Sequence, residues 1–213
     1  AVAIGGTEAN RAYVSTVAPA YDSIAVIDMS TNTVVATHPL ALSVSDLAVD
    51  AEGKHVYASR NGAGAADVAV LDTTTERVEV IDVADVSKAP GTTTECVRVG
   101  PDGSHVYVGI NGPAGGQLVV IGTHTRSDKA RGGKVRWRKK RSGRSRGSDQ
   151  RAGLHVIDTI AIGSPVRDVA LSPNGAIAYV ASCSPDGGVV LDVVNTLTRK
   201  IASTHKLGEI GGN

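Results

Sequence analysis

The sequence predicts an all-β chain organised as a β-propeller, with four four-stranded antiparallel blades in 213 residues. Three observations predict it. A tyrosine recurs in a Y-V/A-x-S/G setting at Tyr13, Tyr57, Tyr107 and Tyr179, at separations of 44, 50 and 72 residues. Each period divides into four strand-sized runs, the unit of a propeller blade. The apolar residues are mostly Val, Ala, Ile and Leu, with no Phe at all, and branched aliphatics at this density favour strands.

The first run of each repeat is Ala1–Ile4, Asp46–Val49, Cys96–Val99 and Asp168–Leu171. A turn follows each. Three of these turns end in glycine at the same place: Asp50-Ala51-Glu52-Gly53, Gly100-Pro101-Asp102-Gly103 and Ser172-Pro173-Asn174-Gly175. Pro presets φ, Asp or Asn bonds nearby backbone, and Gly takes positive φ. The first copy, Gly5 to Asn10, is degenerate. The second run carries the tyrosine. The third is Ser23–Asp28, Asp67–Asp72, Gln117–Gly122 and Val189–Asn195, and the fourth Thr33–Leu40, Arg77–Val83, Leu154–Ile162 and Arg199–Leu207. Alternating runs with Gly, Asn and Asp between them read as short antiparallel strands.

Insertions explain the unequal spacing. The basic period is 44; six residues are gained around Ser87–Gly91 and 28 between the third and fourth strands of the third blade. Both fall in connections, where added length costs little free energy. A single domain over 1–213 follows, with a basic insertion at 126–151.

Charge is divided between these parts. The insertion holds 12 of the 22 basic residues and two acids, Asp128 and Asp149, for a net +10; the remainder is −9. Cys96 and Cys183 fall at different places in different repeats and are read as unpaired small buried residues ahead of a disulfide, which the sequence leaves open. The sequence has no run of 18 apolar residues, the length needed to cross a membrane as a helix. The six histidines share no metal-ligand spacing with a carboxylate or cysteine, so no metal is expected. C-x-x-C-H, G-x-G-x-x-G, a P-loop and a nucleophile elbow are all missing, and no cofactor is expected.

Ala25-Val26-Ile27-Asp28 followed by Ser30-Thr31-Asn32-Thr33-Val34-Val35-Ala36-Thr37 resembles the YVTN-type β-propeller repeat. So does Ser172-Pro173-Asn174-Gly175 followed by Tyr179-Val180-Ala181-Ser182. The resemblance runs from Ala1 to about Leu207. It implies a propeller, usually of seven blades, in bacterial or archaeal proteins of the cell surface or outside the cell. It also implies kinship with lactonase-like propeller enzymes. Four repeats are fewer than seven, so a segment of a larger ring is expected ahead of a small closed ring or pairing with a second copy.

In such a blade one face carries the loops entering the inner strand and those joining the second strand to the third. This face is the expected ligand mouth. It would present Asp46, Arg60, Asn61, Glu95, Asn111, Arg167 and Asp168, with Arg98 projecting from its strand. Arg98 replaces the Ala48 and Ala170 of neighbouring repeats, and Arg98 with Arg167 could recognise an anion. The competing reading is a salt-bridged channel lining. Asp46 and Asp168 are repeat equivalents that could do acid/base work, or could satisfy backbone donors in every blade. Asp28 and Asp72 are read as turn caps.

The insertion is rich in Gly, Ser and Arg and low in apolar residues, a composition that buries too little surface to order itself. Lys134, Arg136, Arg138, Lys139, Lys140, Arg141, Arg144 and Arg146 are candidate contacts to a polyanion, with Trp137 placed to stack on a base. It should leave the face opposite the mouth. With the setting that the resemblance implies, the sequence is read first as a non-enzymatic binding scaffold of the bacterial envelope or outside it. Its partner would be a protein, the rest of a ring, or a nucleic acid, anionic glycan or lipid headgroup at the insertion. A lactonase-like enzyme acting at the mouth and a non-specific nucleic-acid-binding protein are the alternatives.

Overall fold

A computed structural model describes residues 1–5, 10–17, 22–85, 89–123 and 153–209, with Glu209 described by its backbone only. The basic insertion and its candidate residues, Trp137 included, lie outside the described residues, as does part of the shorter insertion before the third blade. Among the described residues sixteen strands form four separate sheets.

Blade 1 contains β1 (Val2–Gly5), β2 (Arg11–Thr16), β3 (Asp22–Asp28) and β4 (Thr33–Leu40). Blade 2 contains β5 (Ser43–Val49), β6 (His55–Gly62), β7 (Ala65–Asp72) and β8 (Val78–Asp82). Blade 3 contains β9 (Thr93–Val99), β10 (His105–Gly112), β11 (Gly115–Gly122) and β12 (His155–Gly163). Blade 4 contains β13 (Val166–Leu171), β14 (Ile177–Cys183), β15 (Gly188–Asn195) and β16 (Lys200–Glu209). Each is a simple antiparallel meander, and the 28-residue gain does fall between β11 and β12.

The turns explain the regularity. Gly53, Gly103 and Gly175 have φ of +70°, +68° and +68°. Each donates its N–H to the residue three before it, closing the turn from first to second strand. Asp28 accepts N–H bonds from Ser30 and Thr31, and Asp72 from Thr74 and Thr75, which caps the turn after the third strand.

The register makes the repeat equivalence concrete. Ala3, Ala48, Arg98 and Ala170 sit opposite Tyr13, Tyr57, Tyr107 and Tyr179. In blades 2, 3 and 4 the inner strand carries one extra residue near its start, namely Ser45, Glu95 and Arg167. Such a bulge bends the strand and re-aims its side chains. The next positions, Asp46, Cys96 and Asp168, are thereby placed alike.

The core consists of three seams rather than one centre. Tyr13, Ile24 and Val26 pack against Leu47, Val56 and Ala58 of blade 2. Tyr57, Val68 and Val70 pack against Val97, Val106 and Val108 of blade 3. Tyr107, Leu118 and Val120 pack against Val169, Ala178 and Val180 of blade 4. Each blade thus turns its tyrosine face to the following blade. Tyr13, Tyr57 and Tyr107 are 1%, 2% and 4% exposed, whereas Tyr179 is 40% exposed. At the other end Val2 and Ile4 of blade 1 are exposed as well.

Tyr107→Ala is expected to cost about 3–5 kcal/mol, as for other large buried aromatics, and Tyr179→Ala less than about 1 kcal/mol. Chemical denaturation of the two variants checks this. Equal losses would mean that Tyr179 is covered in solution.

Candidate functional site

The expected mouth is held by an ion-pair relay across three blades. Arg98 of β9 hydrogen-bonds through one guanidinium nitrogen to Asp46 of β5. Through the other it reaches Asp168 of β13 at 2.6 Å. The first nitrogen also donates to the Val97 carbonyl at 2.7 Å. Asp46 accepts backbone N–H bonds from Leu47 at 2.9 Å and, across the seam, from Val97 at 3.1 Å. Asp168 accepts the N–H of Val169 at 2.7 Å. The two aspartates therefore bind backbone donors and one shared cation. Burial opposes the charge on Arg98, but the two carboxylates outweigh it and raise its pKa above the ordinary value.

The asparagines form the second tie. Asn61 closes the seam between blades 2 and 3: its carbonyl accepts the Thr94 N–H at 2.7 Å and its amide donates to the Thr94 carbonyl at 2.8 Å. Asn111 does the same to Val166 of blade 4, at 2.7 and 3.0 Å. Each lies four residues after its blade's tyrosine. An amide carries one acceptor and two donors, so it can hold both polar groups of a single residue. Blade 1 uses Asp22, which accepts the Val44 N–H at 3.1 Å.

Arg60 is drawn away from the mouth. It is 5% exposed and pairs with Asp67, its Nε at 2.7 Å and a terminal nitrogen at 3.0 Å. This fork-to-fork pair lies between β6 and β7 and stitches one blade internally. Glu95 accepts from the Thr93 hydroxyl at 2.9 Å. Arg167 is exposed at the bulge of blade 4. Of the eight candidate residues, Arg98, Asp46 and Asp168 converge, Asn61 and Asn111 each clasp a neighbouring blade, and Arg60 stands apart.

The opposite face carries the hairpin turns. A groove of about 660 Å³ runs there between blades 2 and 3, lined by Asp50, Glu52, His55, Tyr57, Arg77 and Asp102 among others. Thr123 and Gly153, which border the basic insertion, also line it. His55 bonds Asp50 at 2.7 Å. That bond is the main reason its pKa is raised, while burial works against it. Burial pushes the Asp50 carboxyl up, and the bonds to His55 and to backbone N–H groups more than offset this, so its pKa is lowered.

In the equivalent turn of blade 3 the Ser104 hydroxyl stands between Asp102 (2.7 Å) and His105 (2.6 Å). A nucleophilic triad needs the histidine in the middle, and Ser104 is buried besides. The arrangement is a lock on a turn. Cys96 occupies the place of Asp46 and Asp168; burial pushes its thiol up to about 11, so it is inert near neutral pH. Both cysteines are free, and no cluster of metal-ligating side chains occurs among the described residues.

No family model matches the chain, the YVTN repeat included. Over 212 residues the chain is 61% identical to the seven-bladed beta-propeller protein Rv1057 of Mycobacterium tuberculosis. That match covers 100% of this chain and 53% of the relative. The fold is a β-propeller. The chain spans about half the length of the curated relative it matches, and its four sheets are four blades.

Solved structures agree on the fold. Hydrazine synthase of Kuenenia stuttgartiensis superposes with a TM-score of 0.72 at 15% identity, over 99% of this chain and 50% of that one. The dihydro-heme d1 dehydrogenase NirN gives 0.64 at 15% identity, over 95% and 36%. The Cps50 (Swd1) beta-propeller domain of Myceliophteria thermophila gives 0.62 at 8% identity, over 97% and 55%.

Two outcomes are expected from the ties described. A double-mutant cycle on Asp46→Asn and Arg98→Met should give a coupling of about 1 kcal/mol or more, and the cycle with Asp168→Asn about 0.5 kcal/mol or less. The difference follows from exposure, since the Asp46 side chain is 21% exposed and that of Asp168 is 61% exposed. The His55–Asp50 contact adds a pH dependence. A histidine with a raised pKa stabilises fully below its unfolded value of 6.5 and loses the contribution as pH climbs through the folded value. The lowered Asp50 contributes above its unfolded value of 3.8 and loses the effect when pH falls through the folded value. His55→Gln should therefore lower the melting midpoint near pH 5.5 and change it little at pH 8. Thermal melts at the two pH values check this.

Proposed function

We propose that this chain is a non-enzymatic binding scaffold of a bacterium, working in the envelope or outside the cell. The observation that carries the reading is the relay at the mouth. Asp46, Arg98 and Asp168, which a catalytic acid/base site would need to offer to a substrate, are engaged with one another and with the backbone of adjacent blades. Asn61 and Asn111 are engaged in the same way. Their shared job is to hold blades together. A propeller built so is a rigid platform whose recognition comes from loops.

The 126–151 insertion, at net +10, is the strongest recognition element in the sequence. We assign it a polyanion partner: nucleic acid, anionic glycan or lipid headgroups. Like charges gathered in one short segment repel each other, and a polyanion relieves that repulsion while releasing counterions. Arg167, exposed beside the relay, remains as a lesser anion contact.

Binding to heparin and to single-stranded DNA, measured at about 50 and 200 mM salt, tests the assignment; contacts to several phosphates predict a loss of about 10³-fold or more between the two conditions. A chain lacking residues 126–151 should lose the binding and keep its melting midpoint. Binding that survives the deletion would move recognition to the propeller body. Hydrolysis of a lactone by the intact chain, lost on Asp46→Asn, would favour an enzyme instead.

A further inference from the structure

The groove between blades 2 and 3 is larger than its counterpart between blades 3 and 4, about 660 Å³ against about 260 Å³. The following blade makes the difference. In blade 4 the chain turns directly from β15 to β16, and Tyr107 finds a side-chain partner in Thr196 of that turn. Thr123 is the counterpart of Thr196 in blade 3. Both give their hydroxyl to the carbonyl of the turn glycine before them, Gly103 and Gly175. Among the described residues no tight turn follows Thr123 to stand over Tyr57.

Tyr57 thus lies at the base of the groove with an unused hydroxyl. The residue is 2% exposed and lines the groove, and its hydroxyl has no hydrogen-bond partner among the described residues. Burial, with Asp50 nearby, pushes that hydroxyl up to about 12, so it keeps its proton and remains a donor. A buried donor left unpaired costs free energy that an incoming acceptor recovers. The Tyr13 hydroxyl is unpaired as well, but it is sealed from solvent.

Charge surrounds this donor. The lining carries five carboxylates, Asp50, Glu52, Asp72, Glu79 and Asp102, against the two cations Lys54 and Arg77, a net −3 with His55 neutral. Lys54 pairs with Glu52, and His55 with Asp50. Glu79 and Arg77 are exposed on β8 and pair with no charge among the described residues. Strand register sets Tyr57, Val70 and Glu79 in one row across β6, β7 and β8. Two strand spacings, about 10 Å, therefore separate the phenol's strand from that of the free carboxylate. A Lys or Arg residue covers such a span between its own carbonyl and the tip of its side chain.

We infer that this groove is a binding site for a Lys- or Arg-bearing peptide segment of a partner protein, with Tyr57 donating to a peptide carbonyl and Glu79 receiving the cation. A bare cation, whether a metal ion or a polyamine, would satisfy the carboxylates and leave the Tyr57 donor unpaired. An anion would meet five carboxylates. A basic peptide supplies both the cation and the acceptor. A net −3 also suits a segment with two or three cations, and falls far short of neutralising the +10 of the chain's own insertion. The ligand is opposite in sign to the polyanion assigned to that insertion, so the two sites take different partners.

An array of blocked hexapeptides tests this, each with Lys or Arg at two positions and the others varied. It is probed with the 213-residue chain at pH 8 and about 150 mM salt, beside the same array with Gln at those positions. Basic members are expected to bind and Gln members are not. For the tightest peptides Tyr57→Phe should raise the Kd about threefold to tenfold, the worth of one hydrogen bond. Glu79→Gln should raise it about twofold to fivefold. Both variants should keep the melting midpoint, since one retains the packed ring and the other changes an exposed side chain. Should Tyr57→Phe fail to fold, Glu79→Gln carries the test. A chain lacking residues 126–151 should bind the same peptides equally well. Three results would overturn the inference: no basic peptide binds, a folded variant binds as tightly as the native chain, or binding emerges only after the deletion, which would give the groove to the chain's own basic segment.

Discussion

A sheet that is apolar on both faces is stable only between two neighbours. That constraint governs this chain. Each blade is four strands of mostly Val, Ala, Ile and Leu, and no helix or second layer covers it among the described residues. Burial of this kind stabilises by roughly 25 cal/mol for each Å² of apolar surface removed from water. The gain is collected at seams, so cohesion belongs to pairs of blades and not to any single blade. Among the described residues blades 2 and 3 are covered on both sides, and blades 1 and 4 on one side.

Polar side chains make the seams specific. Apolar surfaces alone would let one blade slide over another. Asn61 and Asn111 each fix one residue of the next inner strand by both its N–H and its C=O. Arg98 adds a charged tie that spans three blades at once. Its aspartates are only partly shielded from water, so the energetic contribution is modest. Its effect is to set the spacing of β5, β9 and β13 around the axis.

Much of the fold was legible in the sequence because the constraints that make blades alike leave marks at fixed spacing. The tyrosines gave the period, the turn glycines gave the hairpins, and Asp28 and Asp72 sit where a cap must sit. The equivalence of Arg98 with Ala48 and Ala170 was legible too; its pairing with Asp46 and Asp168 needed the register of three inner strands. The inter-blade clasps were not. Asn61 and Asn111 read as mouth residues, because a sequence places a side chain on a loop without saying which neighbouring backbone lies beneath it. Their shared position, four after a tyrosine, was the available signal. Arg60 was hidden for a similar reason: Asp67 lies opposite it only once the hairpin register is known. The bulges at Ser45, Glu95 and Arg167 shift the inner strand by one residue, which strict alternation does not anticipate.

Peptide-resolved native-state hydrogen exchange on the 213-residue chain is the most direct test of seam-based cohesion. Amides of β6, β7, β10 and β11, enclosed by two seams each, should exchange only through global unfolding. Amides of β1, β14 and β15, bordered by one covered and one open face, should exchange through cheaper local openings. Equal protection across all four sheets would contradict the account, because it would mean that blades 1 and 4 are enclosed on both sides or that each blade is stable by itself.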